Sequence, residues 1–274
     1  MELWSDLLPL VGMMLATGLV GGILAGLLGV GGGIVIVPVL ELALGILGVD
    51  PSIRMHIAVA TSLSTIIPTS ISSSRAHKKK NSVDTALVRK WGGYVFLGAA
   101  LGSWLAAQVD SVVLAGIFAT VALLVALKML LPLGNWTIAR DVPKGGASYL
   151  VPTGIGTVSS MMGIGGGTLS VPVLTLLNQP IHRAVGSAAL FGLLISIPGT
   201  VGFMISGYGV PGLPLGSIGY VNLLGFIIIS PATILAAPWG AWIAHSLSQR
   251  HLSMLFGFFL LIVSARMFYR TLMG

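Results

Sequence analysis

Long apolar blocks with few interruptions make up most of the chain. No Asp, Glu, Lys or Arg occurs between Leu7 and Leu40, nor in the 66 residues from Ala184 to Gln249. A membrane span needs about 20 mostly apolar residues, so the second block holds two spans and a neutral connection. As a single helix the first block would run about 50 Å at about 1.5 Å per residue, well beyond a hydrocarbon core of about 30 Å. It must break, and Gly31-Gly32-Gly33 with Pro38 marks the place. The same reading predicts ten helical segments, at 8–29, 33–48, 56–74, 91–109 and 111–132, then 147–163, 168–179, 183–206, 218–244 and 251–272. Residues 168–179 are too short to cross alone and 33–48 is marginal, so both read as half-helices or re-entrant pieces.

The pattern also occurs twice. Residues 29–40 read GVGGGIVIVPVL and residues 163–174 read GIGGGTLSVPVL, identical at eight of twelve positions. His56-Ile-Ala-Val-Ala-Thr-Ser resembles His182-Arg-Ala-Val-Gly-Ser-Ala, the stretch Leu97–Trp104 resembles Leu235–Trp242, and Lys128-Met129 matches Arg266-Met267. Four blocks in one order define an internal duplication. The expected organisation is a membrane repeat over 1–135, a cytoplasmic linker at 136–146 and a second repeat over 147–274.

Composition agrees. Only 8% of the 274 residues are charged, against about 25% in soluble chains, so lipid is the solvent expected for most of the surface. The N-terminal segment carries Glu2 and Asp6 ahead of its apolar run and no basic residue, and reads as a first span rather than a secretory signal. With no cysteine, disulfides and thiolate metal or redox sites are excluded.

The net charge of +7 reads as cytoplasmic loop charge rather than a nucleic-acid surface. Arg75, Lys78, Lys79, Lys80, Arg89 and Lys90 crowd 75–90, whereas the corresponding stretch 207–217 has no charge. With an outside N-terminus and five crossings per repeat, eleven of the fourteen basic residues fall inside. The expected fold is therefore an all-α polytopic membrane protein of two inverted-topology repeats, about five helical segments each, broken at the glycine runs.

Three adjacent glycines weaken a helix by roughly 1 kcal/mol each relative to Ala. Irregular backbone at membrane depth survives only buried in protein or lining a watery cavity. A helix that restarts there offers unpaired N–H groups and a positive dipole end, which suit an anion. Gly31, Gly32, Gly33, Gly165, Gly166 and Gly167 are thus candidate anion-binding backbone, although glycine also serves close helix packing. No Lys-Ser/Thr follows either run, so a phosphate loop is not indicated.

These motifs resemble the TauE/SafE family of sulfite exporters and organosulfonate permeases, whose signature of an apolar run, G-x-G-G-G and a Val-Pro-Val/Leu segment stands in both halves. The resemblance covers nearly the whole chain. It implies transport of a small sulfur-containing anion (sulfite, sulfoacetate, sulfolactate or another organosulfonate) across a bacterial-type inner membrane. Composition and spacing alone indicate only a transporter-like membrane protein with a candidate anion site; with the inverted repeats and glycine breaks, a secondary transporter working by alternating access is the leading expectation, against an anion channel or a non-transporting membrane scaffold.

Several polar residues stand on apolar spans. Thr61, Ser64 and Thr65 share a helical face and Ser62 adjoins them, while Ser187 matches Thr61 in the second repeat. Their hydroxyls can donate to sulfonate oxygens or bond neighbouring backbone. Thr168 and Ser170 follow the second glycine run where the first half has Ile34 and Ile36. Glu41 is the one acid well inside a span and a candidate proton carrier. His56, His182 and Arg183 open the matched third helices and could attract an anion. Lys128 and Arg266 read as snorkelling side chains, and His77–Lys80 as a topology signal or lipid-headgroup contact. No Ser-His-Asp, H-E-x-x-H or carboxylate-pair arrangement is present, so no enzyme, cofactor or metal site is expected. Expected partners are the small anion and membrane lipid, and small-residue faces are compatible with a homodimer.

Overall fold

The computed structural model describes residues 2–28, 32–79, 82–131, 145–246 and 249–273. The helices are α1 (Glu2–Leu28), α2 (Gly33–Ile46), α3 (Pro51–Lys79), α4 (Thr85–Ala106), α5 (Ser111–Leu130), α6 (Ala147–Met162), α7 (Gly166–Leu176), α8 (Ile181–Ser206), α9 (Leu223–Ser246) and α10 (Gln249–Met273). A two-residue antiparallel pair, β1 (Ser217–Ile218) with β2 (Val221–Asn222), precedes α9. Among the described residues the chain is all-α apart from that hairpin, which hydropathy alone does not reveal.

Each expected segment corresponds to a helix, but the ends differ where polar residues extend one. α3 starts five residues earlier than its apolar stretch because Asp50 caps it, accepting from Ser52 N at 2.8 Å, with Pro51 in the first helical position. It ends five residues later because His77, Lys78 and Lys79 occupy its last turn, where cations meet the negative end of the dipole. Asp84 starts α4 by accepting from Leu87 N at 2.9 Å. The basic stretch expected as a loop over 75–90 is thus largely helical, with Ser82–Asp84 between the two helices.

The main pairings are α1 with α9, α4 with α6, α5 with α10, α3 with α8, α4 with α8, α3 with α9, α7 with α8, and α2 with α3. This set is unchanged when each of the first five helices is exchanged with the one five places later. α3 and α8 run antiparallel, since Leu63 lies beside Gly199 and Ser70 beside Gly192. So do α5 and α10, with Leu130 beside Gly257 and Ser264 Oγ donating to Ala119 O at 2.8 Å. α1 packs on α9 without room for side chains: a methyl on Gly22 would lie 2.5 Å from Thr233 O. Gly98 and Gly102 of α4 meet the Thr153 and Thr157 backbone of α6 in the same way.

Large apolar side chains face outward, among them Trp104, Trp239, Trp242 and Leu235, each at least 60% exposed. The interior meanwhile holds many hydroxyls, including Thr61, Ser62, Thr65, Ser159, Ser160 and Ser187. This is the reverse of a water-soluble surface. Ser111–Leu130, Arg183–Ser206 and Leu223–Gly240 are long and apolar enough to cross a bilayer, and Met14–Gly26, Gly33–Ile46, Gly166–Leu176 and Gly257–Tyr269 are shorter apolar helices. The protein is membrane-embedded.

Candidate functional site

The second glycine run is a helix stop and restart. α6 ends at Gly163, whose φ of 68° only glycine adopts readily, and Ile164 N closes the turn by donating to Ser159 O at 3.0 Å. Ile164 and Gly165 lie outside either helix, Gly165 extended, and α7 begins at Gly166 with no side-chain cap on its first N–H groups. In the first run Gly31 lies outside the described residues. Gly32, with φ 75°, precedes α2, whose first turn also has no side-chain cap. Both restarts therefore leave helix N–H groups uncapped by side chains.

The two runs meet. A methyl on Gly33 would lie 2.5 Å from Gly163 O and 3.0 Å from Ile164 Cα, so the start of α2 rests directly on the α6–α7 break. α3 passes the same point, with Ser62 Oγ donating to Gly163 O at 2.7 Å. α8 passes the start of α7, where a methyl on Gly166 would lie 2.6 Å from Gly192 N and 2.7 Å from Ala188 O. Gly32, Gly33, Gly165, Gly166 and Gly167 are all buried.

Hydroxyls flank the second break along the chain. Thr168 and Ser170 on α7 are buried and have no hydrogen-bond partner among the described residues. The same holds for Ser159 and Ser160, which end α6 on the other side of the break. Ser160 lies toward α8, where its Oγ would be 2.8 Å from a methyl on Gly199. A buried hydroxyl without a partner costs about 1–3 kcal/mol, and four of them flank one interruption. The sequence carries the signal for this pair: the first half has Ala25-Gly26 where Ser159-Ser160 stand.

The remaining candidates separate. Thr61 Oγ1 accepts from Asn222 N at 2.9 Å, while Asn222 Oδ1 accepts from Gly225 N at 2.8 Å and caps α9. Ser187 Oγ accepts from Asp84 N at 3.1 Å, at the matching cap of α4. These two hydroxyls hold the fourth helix of the opposite half rather than standing free for a ligand. Ser64 and Thr65 bond Thr61 O and Ser62 O within their own helix, at 2.6 and 2.7 Å.

His56 is buried and stacks on Tyr220 with ring centroids 4.9 Å apart. Its Nε2 faces Ala106 O and Val109 O at 3.1 Å, and Nδ1 faces Ser111 Oγ at 3.2 Å. It ties the α4–α5 turn to α3 and is not open to an arriving anion. Arg183 is exposed on the first turn of α8, and the side chain of His182 lies outside the described residues. Glu41 is 2% exposed and lines a cavity of about 210 Å³ with Arg54, Met55, Ser111 and Thr271, toward the far end of α2 from the break. Lys128 does not snorkel: its Nζ donates to Pro172 O on α7 at 2.8 Å. Among the described residues no cluster of His, Asp or Glu could hold a metal.

A family model described as "Sulfite exporter TauE/SafE" matches residues 14–267. The chain is 34% identical over 256 residues to a "Probable membrane transporter protein" of Haemophilus influenzae, an alignment covering 93% of this chain and 97% of that one. It is 28% identical to the "Probable membrane transporter protein YunE" of Bacillus subtilis, over 94% of this chain and 97% of the relative. A third relative, "Probable membrane transporter protein MJ0441" of Methanocaldococcus jannaschii, is 26% identical over 92% of each chain. No solved structure matches the chain.

Proposed function

Because the chain belongs to the sulfite exporter TauE/SafE family, and is a membrane transporter rather than an enzyme, we propose that it carries a small sulfur oxyanion or organosulfonate. The observation that carries this reading is the second break. There the uncapped start of α7 is flanked along the chain by four buried hydroxyls without partners among the described residues, and the start of α2 rests on the break. Hydroxyls and helix N–H groups donate hydrogen bonds, and a sulfite or sulfonate group offers three acceptor oxygens to them. Neutral donors suit a cargo that must leave again, since fixed cations in a low-dielectric interior would hold an anion strongly.

Transport would proceed by alternating access between two inverted repeats, the build common among secondary transporters. The antiparallel courses of α3 against α8 and of α5 against α10, together with the exchange-symmetric pairings, support that reading. The N-terminus is placed outside a bacterial-type inner membrane. The basic residues at the end of α3 and start of α4 are placed in the cytoplasm, as loop charge favours.

The test is purified protein in liposomes with labelled sulfite and short organosulfonates. Saturable flux of at least one, inhibited by the others, is expected. Absence of saturable flux for all of them would sink the substrate class, and unitary currents would replace the carrier with a channel.

A further inference from the structure

A second cavity opens along α3 toward its last-turn cations. It has a volume of about 440 Å³ and is lined by Pro68, Ile71, Ser72, Arg75 and Lys79 of α3 with Ile234 of α9. The spacing 68, 71, 72, 75, 79 is one helical face, so the lining is a continuous stripe of α3 rather than scattered contacts. Its lower part is apolar, from Pro68, Ile71 and Ile234. Its outer end carries two cationic side chains one turn apart, both exposed.

We propose that this cavity is a binding site for an oxyanion headgroup joined to an apolar body, separate from the site at the breaks. Like charges four residues apart on a helix repel by a few tenths of a kcal/mol, and among the described residues no acid lines the cavity to offset them. A bound anion removes that repulsion and accepts from both side chains, with the Ser72 hydroxyl as a third donor. The last-turn position of Lys79 is explained by the helix dipole alone. Arg75 stands a turn earlier, above the apolar wall, and the dipole does not explain the cavity between them. The volume lies in the range of about 300–1,000 Å³ typical of small-ligand sites and exceeds what a bare sulfate fills. Two sources supply the chemistry: the phosphate of an anionic lipid, or a free organic sulfonate or phosphate on the side where α3 ends.

The absence of cysteine from the chain makes the test direct. Ser72→Cys would be its one thiol, reacted in nanodiscs with an anionic and a cationic methanethiosulfonate, each rate divided by that with a free thiol in solution. The normalised anionic-to-cationic ratio is expected to be about tenfold above unity, an attraction of the size local fields produce, and to fall to about one when Arg75→Gln and Lys79→Gln are added. In phosphatidylcholine nanodiscs, protection by added sulfate or benzenesulfonate assigns the site to a free anion. Protection only on changing to phosphatidylglycerol nanodiscs assigns it to a lipid phosphate. A ratio near unity in the parent variant, a ratio unchanged by the two Gln substitutions, or protection by neither anion nor lipid overturns the proposal. None of these readouts requires transport, so loss of sulfite flux and loss of this site are separable.

Discussion

The two glycine breaks share a sequence plan and differ in chemistry. Each restarts a helix without a side-chain cap, and each has a proline five residues after its last glycine, at Pro38 and Pro172. Around the first, the matched positions are Ala25, Gly26, Ile34 and Ile36; around the second they are Ser159, Ser160, Thr168 and Ser170. The first break is buttressed by apolar packing, with Ile34 and Ile36 almost fully buried. The second holds donors with no partner among the described residues. The two runs are thus alike in sequence and in lacking side-chain caps, while among the described residues the unpartnered donors stand beside the second alone.

Four experiments break or sharpen that comparison. The largest effect is expected from adding side chains where both breaks are tight. Gly33→Val and Gly166→Val each drive a branched side chain into backbone, at Gly163 O and at Gly192 N. Each should destabilise by about 3 kcal/mol or more, read as a fall in Tm of the detergent-solubilised protein. Tolerance of one but not the other would show that the copies are not mechanically equivalent.

Next come the hydroxyls the two halves share. Thr61→Val and Ser187→Ala each strip the acceptor from a backbone N–H at a helix start, costing about 2 kcal/mol. Both should lower Tm without moving the substrate KM. A raised KM with an unchanged Tm would restore them as ligand contacts.

The third experiment separates the copies. Thr168→Val with Ser170→Ala removes two unpartnered hydroxyls and should leave Tm unchanged or slightly raised. Flux should fall about tenfold, corresponding to about 1.4 kcal/mol. Ile34→Val with Ile36→Val, at the matched positions, should change flux less than twofold. Equal losses from the two pairs would reduce the asymmetry to packing.

The smallest effect concerns the helices beside the breaks. α3 begins with the Asp50 cap, while α8 begins after Pro180 with no side-chain cap. Bonds from the Ser52 hydroxyl and backbone N–H hold the Asp50 carboxyl below its usual range. A depressed folded value means that the cap's contribution is present above the ordinary carboxylate pKa of about 3.9 and fades as pH falls through the lower folded value. Acid titration of Tm should show a shallow extra loss below pH about 4 that Asp50→Ala abolishes.

Much of this was legible in the residues. The duplicated G-x-G-G-G runs placed the breaks because glycine repetition and proline spacing survive without any knowledge of contacts. The all-α membrane class followed from charge-free blocks. Helix ends were less legible because hydropathy reports solvent, whereas Asp50, Asp84 and the last-turn cations of α3 report backbone capping. The roles of Thr61 and Ser187 were hidden for a different reason. A hydroxyl on an apolar helix looks the same whether it faces a cavity or a helix start, and the partner of Thr61 is 161 residues away. Ser159 and Ser160 were visible as a departure from Ala25-Gly26, but only to a comparison extended upstream of the glycines.

The glycine contacts of α1 with α9 and of α4 with α6 carry one more consequence. Backbone there meets backbone with no side-chain layer between, and each contact joins a helix from one half of the sequence to a helix from the other. The halves are laced through one another, and glycine at these positions fastens α1 to α9 and α4 to α6. A larger residue at Gly22 or Gly98 would therefore part the two halves of the sequence rather than disturb one of them.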